Sequence, residues 1–174
     1  MKIPVKKFLE KEFAERFFKI FVIYYKDKDG ELKKKPKYGN HSDFTLEEIE
    51  EHKADRGDHF TLFVNYHKEF VVVDIDEDIK YENIPEILKQ FPYTKGNTKG
   101  FHIYVRVNNK PEERPGSTEV NVLKFCEGDC FGWVSNVWER DDKEVYNYHK
   151  EIPIIEWEEL NELLDWNKKK EKTT

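Results

Sequence analysis

The run VVVDIDED, residues 71–78, joins three valines to four carboxylates within eight positions. Val71, Val72, Val73 and Ile75 favour a pleated, buried strand. Asp74, Asp76, Glu77 and Asp78 are costly in such a place unless something pairs with them. A strand alternates its side chains, so Asp74 and Asp76 share one face and Ile75 takes the other. Two carboxylates side by side either end the strand in water or share a cation. On this cluster alone two readings stand: a solvated strand end, or a seat for Mg2+ or Mn2+, which take hard oxygen ligands from one or two carboxylates plus substrate phosphates.

A second stretch, YTKGNTKGFHIYVRV at 93–107, bears on the choice. Thr98, Lys99 and Gly100 lead into an alternating strand at 100–107, in which His102 and Tyr104 lie opposite Phe101, Ile103 and Val105. A glycine-containing turn presents backbone N–H groups, and Lys99 and His102 add donors. Together they suit an anion such as a triphosphate. A single strand histidine is more commonly a satisfied polar residue. Beside an Asp-x-Asp strand and a Lys-Gly turn, its functional reading gains weight.

Along the chain, VKKFLEKEFAERFFKI (5–20) places Phe8, Leu9, Phe13, Phe17 and Ile20 on one helical stripe. A strand is expected at 21–26, a turn at 27–30 and a polar connection through Pro36 and Gly39. A helix is expected at 45–54. Strands at 60–66 and 69–76 read as joined by a tight turn near His67 and Lys68. Then come a helix at 81–91, strands at 100–107, 118–125 and 132–140, and a helix at 155–166; residues 167–174 read as a disordered tail or linker. This irregular mixture indicates α+β or α/β rather than a repetitive βα barrel.

A length of 174 residues suits one domain over 1–166, and 15% aromatic residues can build its core despite a charged fraction of 38%. No apolar run approaches the roughly 20 residues of a membrane helix. The start, MKIPVKKFLEKEF, lacks an export signal's apolar stretch, so an intracellular location is expected, with no membrane partner. Cys126 and Cys130 lack further ligands at zinc spacing, so neither structural zinc nor a disulfide scaffold is expected. The net charge of −6 argues against a protein that coats nucleic acid non-specifically. It leaves room for local basic patches, with Lys33, Lys34, Lys35, Lys37 and Lys95 the candidates. The lysine run reads equally as a solvated loop.

With both motifs in hand, the chain resembles the primase-polymerase domain of the archaeo-eukaryotic primase superfamily, most nearly the domains of viral primase-helicase proteins. The resemblance rests on an apolar strand ending in Asp-x-Asp (VVVDID), a small-x-His motif (GFH) and an upstream lysine-proline segment (KKKPKYG), and it spans roughly residues 20 to 165. It implies a central, mostly antiparallel sheet flanked by helices, with an RRM-like catalytic half. It also implies template-directed nucleotidyl transfer on single-stranded DNA with two Mg2+ or Mn2+ ions. Asp74 and Asp76 then take the metal-binding role, and His102 takes the nucleotide's phosphates with Lys99, Thr98 and Gly100 beside it. The partners implied are a single-stranded template, nucleoside triphosphates, and a helicase domain or protein in viral or mobile-element replication.

The family's third motif is a strand carrying one more carboxylate. The corresponding TEVNVLKF (118–125) has Asn121 there, and an amide oxygen brings no charge to the metal. Glu119, two residues earlier on the same face, is the candidate replacement; Asp129 and Glu139 are less favoured. Tyr38 or Trp133 can stack template bases. Two other readings remain open. One is a catalytically inactive primase relative that only binds nucleotide or nucleic acid. The other is a metal-dependent nuclease, whose usual E-x-K on the next strand GFHIYV does not supply.

Overall fold

The computed structural model describes residues 1–14, 17–26, 28–30, 32–36, 58–64, 67–75, 78–96, 99–110, 122–123, 133–134 and 137–165. Over 17–26, 32–36, 58–60, 63, 122–123, 133–134 and 164–165 it describes the backbone alone. These residues form a mixed α+β fold with mostly antiparallel sheets and few helices. They gather into two compact units, each assembled from separate stretches of chain: Val5–Asn65 with Val137–Lys143, and Met1–Pro4 with Tyr66–Asn136 and Glu144–Thr174. Where one central sheet was expected, the described residues hold two larger sheets and two small pairs.

In chain order, β1 (Ile3–Pro4) is followed by α1 (Val5–Glu12), β2 (Phe17–Lys26), β3 (Leu32–Pro36) and β4 (Asp58–Val64). Next come β5 (Phe70–Ile75), 3-10 turns at Tyr81–Asn83 and Glu86–Gln90, β6 (Tyr93–Lys95) and β7 (Phe101–Asn108). The chain continues through β8 (Val122–Leu123), β9 (Trp133–Val134), β10 (Val137–Arg140), β11 (Glu144–Val145), β12 (Ile155–Glu156), α2 (Trp157–Asn161) and β13 (Leu164–Asp165).

In the first unit, α1 buries Val5, Phe8 and Leu9, the i, i+3, i+4 stripe. The helix does not run to residue 20 as the stripe suggested. Phe13 N–H still bonds the Leu9 carbonyl at 2.9 Å, but Ala14 turns left-handed with φ 47° and ends it. The run FFKIFVIYYK is rich in aromatic and β-branched residues and becomes strand β2 instead. The sheet order is β10-β4-β2-β3, antiparallel throughout. The lysine-rich segment expected as a connection is therefore strand β3, paired with β2 from Val22↔Pro36 to Lys26↔Leu32. Among the described residues it ends the sheet, a place where lysine and proline are tolerated because they discourage further pairing. Gly30, with φ 80°, makes the turn between the two.

In the second unit the order is β12-β7-β5-β9, with β6 beside β7. All pairings are antiparallel except the parallel β12–β7. Strands β4 and β5 do not form the hairpin expected near His67 and Lys68; they belong to different sheets. The expected strand 132–140 likewise divides into β9 and β10, in different sheets. The helix expected at 81–91 becomes two 3-10 turns because Pro85 forces Ile84 into extended backbone, φ −75° and ψ 159°. The helix expected at 155–166 shortens to α2. Residues 155–156 pair with β7, where Asn108 and Asn109 donate to the Glu156 carboxylate at 3.1 and 2.8 Å, and 164–165 pair with β8.

Strands β5 and β7 are buried on both faces along most of their length, with Val73, Ile103, Tyr104 and Val105 at 0% exposure. Each such side chain contributes roughly 1.5–3 kcal/mol of burial. The helix expected at 45–54 and the tail 167–174 lie outside the described residues. Among the described residues no helix is long and apolar enough to cross a membrane.

Candidate functional site

The β5–β7 register runs from Phe70↔Arg106 to Ile75↔Phe101 and pairs Asp74 with His102. The Val107 N–H donates to the Glu69 carbonyl at 2.7 Å, which marks Glu69 and Val107 as a hydrogen-bonded pair. Pairs alternate along an antiparallel ladder, so 71/105, 73/103 and 75/101 are of that kind. Asp74 and His102 fall on the intervening type, whose side chains stand closest. Accordingly, Asp74 Oδ1 lies 3.5 Å from His102 Nε2.

On the other side of β7, the β6 register pairs Thr94 with His102. Thr94, His102 and Asp74 thus stand in one row across three strands, on one face. Next along that face are the pairs Val72/Tyr104 and Phe70/Arg106. Tyr104 and Thr94 are fully buried and Val72 is 3% exposed. At the strand end the Asp74 side chain is 30% exposed and that of His102 21%. A dry sheet face opens to solvent where its carboxylate and imidazole meet, and that answers part of the cost of placing Asp74 after three valines.

The β6–β7 hairpin closes with the Gly96 N–H donating to the Gly100 carbonyl at 2.9 Å. Gly100 is buried with φ 80°, and Lys99 is exposed in the turn. The anion-binding turn inferred from sequence is therefore a hairpin tip two residues from His102. Thr98 lies outside the described residues, as do Asp76, Glu119, Asn121, Asp129, Tyr38 and Lys37.

The third-motif strand departs from expectation. Its described part, Val122–Leu123, pairs with β13 in a separate two-stranded sheet rather than joining β5 and β7. Lys33, Lys34 and Lys35 sit on β3, opposite Tyr25, Tyr24 and Ile23 of β2, in the other unit. Glu139 also belongs to that unit, fully buried with Lys143 Nζ 3.6 Å from its carboxylate. Lys95 pairs with Phe101 and so lies on the face of β6 opposite Thr94 and His102.

Chemically, an exposed carboxylate beside an imidazole can bind a divalent cation through oxygen, orient the imidazole, or exchange a proton with it. Among the described residues no three His, Cys, Asp or Glu side chains gather as a metal-ligand set. Sequence reasoning missed Thr94, the buried neighbour of His102. The signal was present in YTKGNTKGF, where two glycines four residues apart bracket a hairpin whose first strand carries the threonine. In comparisons with known proteins, the chain matches no family model, no curated protein and no solved structure.

Proposed function

We propose that this chain is a primase-polymerase-like nucleotidyltransferase that extends a strand on a single-stranded DNA template, with Asp74 and His102 at its reacting centre. The observation that supports this best is the Asp74–His102 contact of 3.5 Å, with both side chains partly open to solvent beside the fully buried Tyr104 and Thr94. The donor chemistry suits Mg2+ or Mn2+: Asp74 offers a partly exposed carboxylate, and Asp76 follows two positions later in the sequence. Bound there, divalent metal would neutralise charge at the transferring phosphoryl group.

The chain's own residues do the rest. Asp74 and Asp76 hold the metal, and Asp74 also sets the imidazole of His102. His102 and Lys99 hold the triphosphate so that a 3′-hydroxyl attacks the α-phosphorus as pyrophosphate leaves. Positioning and electrostatic stabilisation suffice for phosphoryl transfer. Nucleoside triphosphates and a single-stranded template are the substrates, and a helicase domain or protein is the partner that exposes the template.

The test is primer synthesis and extension on a single-stranded template with Mg2+ or Mn2+. The wild-type chain should extend, and Asp74→Asn and His102→Ala should not. Extension that survives Asp74→Asn overturns the reading. Asn121→Asp and Glu119→Gln, assayed across a metal titration, locate the third ligand. Loss of activity in Glu119→Gln with little effect of Asn121→Asp assigns it to Glu119, and the reverse pattern assigns it to position 121. Nucleotide binding without synthesis in every variant is the outcome for a binding module.

A further inference from the structure

We propose that the sheet face opposite Asp74 and His102 carries a seat for single-stranded nucleic acid, built on Tyr146 with Lys2 and Lys95. Tyr93 and Tyr146 exchange backbone hydrogen bonds at 3.1 and 2.8 Å, and their rings stack with centroids 5.5 Å apart and planes 20° from parallel. Tyr81 extends the stack on Tyr93 at 4.4 Å and 21°. Lys95, two residues after Tyr93 and on the same face of β6, places its ammonium 4.4 Å from the Tyr146 centroid. The β1–β11 register carries the amino-terminal strand alongside, and Lys2 Nζ lies 5.6 Å from the same centroid.

Two ammonium groups thus converge on one ring, against one carboxylate: Glu144, 3.6 Å from Lys2. The side chains of that pair are 60% and 48% exposed, and Lys95 has no ion-pair partner among the described residues. In a chain of net charge −6 this is a local cationic point lying on a π surface. Phosphates take the ammonium groups, and unpaired bases stack on tyrosines without sequence preference. A duplex offers no free base face, and the large exposed apolar side chains among the described residues are only Met1 and Ile154, too few for a protein partner's apolar patch.

The proposal concerns binding alone and rests on the nucleotidyl-transfer reading only for the expectation that a single strand is the natural ligand. The experiment is fluorescence anisotropy of labelled dT20 with the full chain, in EDTA and without nucleotide, across a salt series. Lys2→Ala and Lys95→Ala should each weaken binding roughly three- to tenfold and flatten the log–log salt slope by about 0.7, one phosphate contact on a single strand. Tyr146→Phe should bind as wild type and Tyr146→Leu more weakly; the lysine variants decide the matter even if Tyr146→Leu misfolds. Unchanged affinity in the Lys2→Ala/Lys95→Ala double variant overturns the proposal. So does a 20-base-pair duplex or heparin bound as tightly as dT20 with the same sensitivity to the lysines. A chain that binds dT20 in this way yet extends no primer keeps this site and loses the transfer reading, and the converse result separates them equally.

Discussion

Gly96 and Lys99 approach so closely in the β6–β7 hairpin that a Cβ on Gly96 would lie 1.8 Å from the Lys99 carbonyl oxygen. The obstacle is backbone, which cannot step aside without reopening the Gly96–Gly100 hydrogen bond. Gly96→Ala should therefore destabilise the fold by about 1–3 kcal/mol in urea unfolding. Gly30→Ala meets nothing within 4 Å and should lose only the cost of its left-handed backbone, about 1 kcal/mol. Equal losses in the two variants would mean that the hairpin tip relaxes freely.

The Asp74–His102 pair should matter to activity far more than to stability. Both side chains are partly exposed, so the pair contributes about 0–1 kcal/mol. Asp74→Asn should unfold within a few degrees of wild type while abolishing metal-dependent transfer. A large fall in melting temperature would instead mark Asp74 as a structural ligand of the sheet.

Alkaline pH should act in two opposed steps. Burial pushes the Lys110 ammonium down to about 8 from its ordinary 10.5. Its Nζ donates to the Phe70 carbonyl at 2.8 Å and to the His67 carbonyl, ahead of β5. With the folded value below the unfolded one, the unfolded chain binds more protons between those limits, so stability rises as pH passes from about 8 toward 10.5. Lys110 is only part-buried and solvent screens it, so the gain is on the order of 1 kcal/mol. Burial raises Tyr81 above its ordinary 10.0, with Tyr93 and Glu86 adding to it, and burial raises Tyr93 too, aided by Tyr146. The folded chain then holds those protons longer, and stability falls above pH 10. Unfolding measured from pH 7 to 11 should show the rise and then the fall. Lys110→Met should remove the rise alone.

In the other unit, Glu139 is fully buried and Lys143, 16% exposed, lies 3.6 Å from its carboxylate. The Thr61 hydroxyl donates to the Glu139 backbone carbonyl, fixing β10 against β4. Lys143→Met leaves the carboxylate buried without that cation and should cost about 1–3 kcal/mol, with Glu139→Gln/Lys143→Met recovering part of it. A single variant as stable as wild type would show that Glu139 is satisfied by its other contacts.

The strands that carry Asp74 and His102 are legible in the residue pattern. The alternation of VVVDI and FHIYV assigns Asp74 and His102 each to a face of its own strand, and both strands form where the pattern places them. The 3.6-residue stripe of Phe8 and Leu9 marks α1. Its apparent continuation through Phe17 and Ile20 misleads, because aromatic and β-branched residues fit a helical stripe and a strand equally well over a short window. LKKKP carries no strand signal of its own, and its backbone pairing with β2 makes it a strand.

The residue pattern alone governs local matters. It set the face a side chain takes on its strand, the glycines at the ends of the GNTKG turn, and the proline that breaks 81–91. Which strands lie side by side is settled by the packing of the whole fold. It paired β5 with β7 so that Asp74 meets His102, and it set β6 beyond β7 so that Thr94 joins them. It also sent Lys95 to the opposite face and divided neighbours in sequence, β4 from β5 and β9 from β10, between two sheets. The physical reason is range. Side-chain alternation follows from backbone geometry within one strand. Strand partnership follows from bringing apolar side chains that lie far apart in the chain into one core, which no single strand can do.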